Sequence, residues 1–126
     1  MAVDEDDTQQ SQIRKFQKEL NAGTVSLVLL SILAAAHEPL YGYQIAKQLD
    51  RDGGSSAIMK QGTLYPVLRA LCGSGFLDSH VEPSVSGPPR RYYHITEAGR
   101  VVLAQWKHAW VSTREFVDSI LEGQSS

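Results

Sequence analysis

Cysteine and long apolar runs are nearly absent from this sequence of 126 residues. The one cysteine, Cys72, cannot form an internal disulfide, which fits a reducing, cytoplasmic compartment. The most apolar stretch, residues 25–36, has about twelve residues and is nearer in length to a buried helix than to a membrane span. The N-terminus is acidic and lacks the basic and apolar regions of a signal peptide. We therefore predict a cytoplasmic protein without a membrane segment.

Catalytic and metal-binding motifs are lacking as well. The sequence contains no glycine-rich phosphate loop, no nucleophile elbow and no paired carboxylates in an apolar frame. Its four histidines have no metal-ligand spacing with one another or with Cys72, so a metal sensor would require them to meet through folding. We predict that the protein is not an enzyme and that it has no metal site and no cofactor.

Affinity for nucleic acid requires an excess of basic residues, whereas the formal net charge of this chain is −2. The acidic residues are unevenly placed, however. Residues 4–7 supply four of the 14 acidic residues, so 10 acidic residues stand against 12 basic ones in the remainder. We expect residues 1–9 to be a disordered acidic tail. The rest of the chain is then weakly basic, which is compatible with a nucleic-acid partner.

Hydrophobic periodicity predicts a small helical domain over residues 10–96. An amphipathic segment with Ile13, Phe16 and Leu20 precedes an apolar one at residues 25–36, and the two form either one helix or two. A short helix follows at residues 41–50. The next apolar stripe runs over residues 61–72, and its Pro66 places the helix start near Thr63, since proline is tolerated in the first turn.

Two strands and a long helix complete the chain. Residues 76–82 and 90–96 alternate as strands of a hairpin with an exposed tip, and residues 97–122 form a helix before a short tail at 123–126. The order of elements predicts a mainly α (α+β) fold, a winged helix-turn-helix with a two-stranded β-hairpin wing and a long C-terminal dimerisation helix.

The terminal helices carry apolar stripes that the small domain is too short to cover. We expect them to form a homodimer, and packing onto the chain's own domain is the alternative. The predicted dimer interface consists of Ile13, Phe16, Leu20, Leu103, Trp106, Trp110, Val117 and Ile120.

Three motifs in this order resemble the PadR-like family of winged helix-turn-helix transcriptional regulators, in its compact branch. They are LYGYQIAKQL at residues 40–49, GTLYPVLRALCGSGFL at 62–77 and GPPRRYYHITEAGR at 87–100. The resemblance implies a homodimeric repressor that binds double-stranded DNA at a palindromic operator and is released by a small, often aromatic, ligand.

The resemblance also implies a set of DNA-binding residues. Two adjacent arginines on a strand point to opposite faces, so at most one of Arg90 and Arg91 is expected to face DNA squarely. Alternatively, Tyr65 and Tyr93 pack as half-buried aromatics and the arginines are ordinary edge charges. The predicted set is Tyr41, Lys60, Gln61, Gly62, Thr63, Tyr65, Pro66, Arg69, Arg90, Arg91 and Tyr92.

Trp106 and Trp110 lie one turn apart on the last helix. Family members that sense aromatic drugs place a tryptophan on this helix at a position that matches Trp110, which implies a ligand site there. Leu103 would be a neighbour, and Lys107 would pair an acidic ligand. Alternatively, both tryptophans fill the dimer core. Two other functions stay open, namely a winged-helix protein-interaction module and a ligand carrier without DNA binding.

Overall fold

The computed structural model describes residues 5–51 and 61–125, which form four helices and three strands. The helices are α1 (Glu5–Ala35), α2 (Gly42–Arg51), α3 (Gln61–Gly73) and α4 (Glu97–Ser125). The strands are β1 (Leu40–Tyr41), β2 (Leu77–Glu82) and β3 (Arg90–Ile95). The predicted winged helix-turn-helix is therefore present, with a long helix at each end of the described chain.

α1 is one continuous helix, which decides between the two alternatives for residues 10–36. It begins at Glu5, so the expectation of a disordered tail is wrong for residues 5–9, while residues 1–4 lie outside the described residues. Thr24 lies inside this helix, and its hydroxyl donates to the Leu20 carbonyl one turn earlier. Likewise, α4 continues to Ser125 and includes most of the predicted C-terminal tail.

The C-terminal half of α1 forms the centre of the core. By length and composition alone the stretch Asp7–Ala35 could cross a membrane, contrary to the expectation from residues 25–36. Here Leu29, Leu30 and Leu33 of this helix are buried among the other elements. The buried apolar residues of the described chain are Val25, Leu29, Leu30, Ile32, Leu33, Ile45, Leu49, Leu64, Leu68, Leu71, Leu77, Tyr93 and Ile95.

The sheet has one more strand than the sequence predicted. All three strands are antiparallel in the order β1-β3-β2, and β1 pairs Tyr41 with Tyr92. Residue 41 was expected to begin the second helix. Residues 40–41 instead form a strand that pairs with the free edge of β3 and satisfies its backbone N–H and C=O groups. The wing is thereby joined directly to the start of α2.

α3 begins at Gln61, two residues earlier than the start expected near Thr63. Pro66 lies inside the helix, so the Gly62 carbonyl loses its usual backbone donor. The helix ends in a Schellman motif, in which the Phe76 N–H donates to the Leu71 carbonyl at 3.0 Å and the Gly75 N–H to the Cys72 carbonyl at 3.0 Å. Gly75 has φ +82°, which only glycine adopts without strain.

Four residues, Gly75, Phe76, Thr96 and Gly99, connect the end of α3 to the start of α4, and we call them the helix junction. The Thr96 hydroxyl donates to the Gly75 carbonyl at 2.7 Å and accepts the Gly99 N–H at 3.0 Å. The Thr96 N–H donates to the Phe76 carbonyl at 3.1 Å. A Cβ at Gly99 would collide with that same carbonyl oxygen. Thr96 therefore caps α4 and fixes it to α3 at once.

The helix junction predicts a sharp difference between two glycines. Gly99→Ala should lower the free energy of unfolding by about 1–3 kcal/mol, because backbone atoms must move to admit the methyl group. Gly73→Ala is the matched control, since its Cβ would meet nothing within 4 Å, and it should be neutral or slightly stabilising. Urea denaturation measures both. Equal midpoints for Gly99→Ala and the wild type would contradict the close contact.

Candidate nucleic-acid interface and ligand cavity

The outward face of α3 is polar. Thr63, Tyr65, Pro66 and Arg69 are exposed, whereas the core side of the helix is buried. α3 contains no acidic residue. Lys60 lies outside the described residues. Gln61 and Gly62 begin the helix, and only their backbone is described. Four of the predicted contact residues therefore share one accessible helix face.

Tyr65 fixes α3 against α2. A Cβ at Gly42 would lie 2.5 Å from the Tyr65 hydroxyl oxygen, so the tyrosine ring occupies the space that any other residue at position 42 would fill. Tyr65 is nevertheless 43% exposed, so this residue both packs against α2 and lies on the accessible surface. Gly42 of the motif at residues 40–49 and Tyr65 of the motif at residues 62–77, which are distant in sequence, are therefore in contact.

The two wing arginines lie on opposite faces of the sheet. Arg91 Nη1 donates to Ser79 Oγ at 3.0 Å, on the face that also carries the buried Tyr93 and packs against α3. The positive charges of Arg91 and Arg69 both act on the Tyr93 hydroxyl. The α3 side of the wing therefore brings these two cations to one region.

Arg90 belongs to an aromatic group on the outer face. Its guanidinium lies 4.5 Å from the centre of the Tyr41 ring, and that ring meets Tyr92 edge-on at 5.3 Å. The Tyr92 ring stacks on the His80 ring, with 5.6 Å between the ring centres. The acidic residues of β2 share this outer face, and Glu82 Oε1 lies 3.1 Å from His80 Nε2.

Sequence reasoning missed two members of this group, Tyr43 and Lys47. The Tyr43 ring stacks on Tyr41 at 6.4 Å, and the Lys47 Nζ lies 5.6 Å from the centre of the Tyr43 ring. The spacing of four between them on a helix was a usable signal, whereas the contact with Tyr41 required knowledge of β1. The outer face of the wing thus continues onto α2 as a group of aromatic, basic and acidic side chains.

Cys72 and Tyr93, on the α3 side of the sheet, stay neutral at ordinary pH. Burial raises the pKa of the Cys72 thiol, and the negative charge of Asp78 adds to the shift, although a hydrogen bond with Ser79 opposes it. Burial also raises the pKa of the Tyr93 hydroxyl. A protonated thiol is a poor nucleophile. Among the residues that the structure describes, no group of three metal-binding side chains is close enough to hold an ion.

A cavity of about 560 Å³ lies between α1 and α4. Trp106 and Trp110 line it, whereas Leu103 and Lys107 of the predicted ligand site do not. The lining from α1 was not expected, although its spacing of three and four residues marks one helix face. The lining residues are Glu19, Leu20, Gly23, Thr24, Ser26, Leu27, Trp106, Ala109, Trp110 and Thr113.

Trp106 connects the cavity to the helix junction. Its ring meets the Phe76 ring edge-on at 5.7 Å, and both residues pack against the core. Leu103 packs there as well, so these two members of the predicted dimer interface contact their own domain. Trp110 is more exposed and has no ring partner in the described chain.

The other residues of the predicted dimer interface are exposed. Phe116 and Leu121 add to the apolar surface of α4 and were not among the predicted residues, although both lie beside the heptad positions. The exposed apolar residues on the two terminal helices are Ile13, Phe16, Leu20, Val101, Trp110, Phe116, Val117, Ile120 and Leu121.

Comparison with known proteins gives a consistent result. A model of the "Transcriptional regulator PadR-like family" matches residues 29–105. The "Transcriptional regulator Rv3488" of Mycobacterium tuberculosis (strain ATCC 25618 / H37Rv) is 34% identical over 114 residues, which cover 90% of this chain and 94% of the relative.

Solved structures agree with the sequence comparison. A PadR family transcriptional regulator from Eggerthella lenta DSM 2243 is similar with a TM-score of 0.75 and 34% identity, over 93% of this chain and 95% of that one. A transcriptional regulator from Clostridium thermocellum gives a TM-score of 0.71 at 26% identity, over 80% of this chain and 96% of that one.

Proposed function

Because this chain belongs to the PadR-like family of transcriptional regulators, we propose that it is a cytoplasmic homodimeric repressor, released from a palindromic operator by a small aromatic ligand. The observation that carries the proposal is the exposed polar face of α3, which includes Arg69 and lies on the same side of the sheet as Arg91. A face of this kind suits DNA better than a protein partner, since it is cationic and only partly apolar.

In the proposed complex α3 enters the major groove. Thr63 and Tyr65 have hydroxyl groups that can reach base edges or phosphates, and Arg69 supplies charge for the phosphate backbone. Arg91 is preferred over Arg90 as the wing contact, since it shares the α3 side and its guanidinium is oriented by Ser79. Arg90, on the outer face of the wing that also carries Glu82, is then directed away from this DNA, whereas Lys47, over the Tyr43 ring of α2, can reach phosphates beside the groove.

The terminal helices support the proposed homodimer. Exposed apolar side chains occupy both α1 and α4, and these helices pack together within the chain. Their stripes are therefore parts of one apolar surface, which is costly to leave in water. A twofold axis along this surface would present two copies of α3 to successive turns of DNA, as a palindrome requires.

Contacts between the cavity and α3 favour ligand control. A flat ligand between Trp106 and Trp110 would change the position of the Trp106 ring, which touches Phe76. Phe76 directly follows the Schellman turn of α3, and its carbonyl is held by Thr96. We propose that ligand binding rotates the two DNA-binding domains relative to each other through the helix junction.

Salt dependence tests the DNA contacts. The wild-type protein first selects an operator from a random DNA library, and binding is then measured by fluorescence anisotropy at several salt concentrations. In a homodimer, Arg69→Ala or Arg91→Ala removes two phosphate contacts, which should flatten the slope of log affinity against log salt by about two units. Arg114→Ala, an exposed arginine on α4, is the control and should keep the wild-type slope. An unchanged slope in both test variants would contradict the assignment of Arg69 and Arg91 as DNA contacts, whereas failure to select any operator would favour the protein-interaction or ligand-carrier alternatives.

Analytical ultracentrifugation tests the dimer. Phe16→Glu and Val117→Glu should each yield folded monomers, because two charges would be buried near the twofold axis without partners. Val85→Glu is the matched control, since Val85 is a fully exposed apolar residue at the wing tip, and it should remain dimeric. If both interface variants sediment as the wild type does, the terminal helices do not form the interface.

A further inference from the structure

A tyrosine hydroxyl without a partner lies where α3 meets the inner face of the wing. We infer that this hydroxyl, on Tyr93, donates to a phosphate group of the DNA backbone that lies between Arg69 and Arg91. The inference rests on the proposed DNA-binding function. It adds a neutral contact from a core residue to the contacts of the exposed cations.

Tyr93 is a core residue with a polar end. Only 6% of its surface is exposed, and it belongs to the cluster of buried apolar residues. Its hydroxyl forms no hydrogen bond with any of the described residues. In this part of the chain every fully buried side-chain oxygen has a partner, so the Tyr93 oxygen must reach the surface. A hydroxyl that stabilised the fold would be bonded within it. This one reaches the surface with its hydrogen-bonding capacity unused.

Side chains of the wing and of α3 surround this hydroxyl. Ser79 lies directly opposite Tyr93 in the strand register, and its Oγ accepts a hydrogen bond from Arg91 Nη1 at 3.0 Å. Arg91 precedes Tyr93 by two residues on β3 and therefore lies on the same face. Arg69 follows Tyr65 by one turn on α3, so the two share a side of that helix. The charges of both arginines act on the Tyr93 hydroxyl.

This region contains hydrogen-bond donors and no carboxylate. α3 has no acidic residue, and Asp78 of β2 lies on the outer face, with its Oδ2 3.8 Å from His94 Nε2. Burial raises the pKa of the Tyr93 hydroxyl, which therefore keeps its proton and can donate. An anion with several oxygens can accept from two guanidinium groups and a hydroxyl at once. The inner face of the wing consists of Leu77, Ser79, Val81, Arg91, Tyr93 and Ile95.

The position of this region favours a phosphate of the DNA backbone. With α3 in the major groove, the wing lies over the sugar-phosphate strand that borders the groove. That strand then passes the boundary between α3 and the wing, where the Tyr93 hydroxyl reaches the surface. Most protein–DNA hydrogen bonds go to phosphates and sugars, and tyrosine is among the side chains that donate them. Tyr93 thus contacts the operator with its hydroxyl while its ring packs in the core.

Tyr93→Phe keeps the ring and removes the hydroxyl. It should weaken operator binding by about ten- to a hundredfold, because each copy in the dimer loses a hydrogen bond to a charged group. The slope of log affinity against log salt should stay at the wild-type value, since a neutral donor releases no counterions. Fluorescence anisotropy measures both quantities. Tyr43→Phe is the matched control, because it removes an exposed hydroxyl away from this region, and it should bind as the wild type does.

Urea denaturation shows whether the hydroxyl has a structural role instead. The unfolding midpoint of Tyr93→Phe should equal or slightly exceed that of the wild type, because the removed group has no partner within the fold. A lower midpoint together with weaker operator binding would assign the hydroxyl to the fold and overturn the inference.

Operators with a single methylphosphonate linkage locate the phosphate, since this linkage has no negative charge. At one linkage in each half-site the loss of affinity should be smaller for Tyr93→Phe than for the wild type, because both changes remove the same hydrogen bond. Equal losses at every linkage would contradict the contact. Inorganic phosphate, exchanged for chloride at constant ionic strength, is the other source of this chemistry. If it displaces DNA from the wild type more readily than from the variant, and no linkage shows coupling, a free anion is the ligand and the DNA contact is wrong.

The outcomes also separate this inference from the proposed function. Wild-type affinity in Tyr93→Phe, alongside flattened salt slopes in Arg69→Ala and Arg91→Ala, would refute the Tyr93 contact and leave DNA binding in place. Failure of the wild-type protein to select any operator would refute the proposed DNA binding itself.

Discussion

The backbone carbonyl of Phe76 is held by two contacts with the start of α4. It accepts the Thr96 N–H, and it lies so close to Gly99 that no side chain fits there. Because Phe76 follows the last turn of α3 and Gly99 lies in the first turn of α4, this contact sets the angle between the two helices. The exposed polar face of α3 therefore has a fixed relation to the cavity and the apolar surface of α4.

The remaining contacts extend this constraint in both directions. Tyr65 packs over Gly42 and holds the other end of α3 on α2, while β1 ties α2 to the wing. On the opposite side Phe76 meets Trp106 through its ring, and Trp106 lines the cavity. Few contacts therefore separate the cavity from the exposed face of α3, which is the route that the proposed ligand control would use.

Elements with strong local signals could be predicted from the sequence. The stripe Leu64, Leu68 and Leu71 identified α3, and Thr96 marked the start of α4, because both signals depend on neighbours within a turn. β1 has only two residues and forms because β3 offers its edge, which no local pattern records. The continuity of α1 through Gly23 depends on packing against the other elements in the same way.

Part of the candidate site could also be predicted from the sequence. The exposed face of α3 followed from helical periodicity, and the opposite orientation of the two wing arginines from strand alternation. The surroundings of Glu19 and Lys47 could not be predicted in full from the sequence, because they depend on which other elements pack nearby. Glu19 and Trp110 line the cavity from two different helices, and the Tyr43 ring under Lys47 is joined to Tyr41 of β1.

The connection between α3 and the cavity is the central claim, and the fluorescence of Trp106 tests it most directly. In the Trp110→Phe variant Trp106 is the one remaining tryptophan. Its emission maximum and its quenching by acrylamide are followed during titration with operator DNA, while anisotropy reports binding. We predict that both signals change with the same midpoint as binding, and that Phe76→Leu abolishes the change without abolishing DNA binding, since linkage between two sites is reciprocal. Full operator binding with unaltered Trp106 emission and quenching would contradict the account.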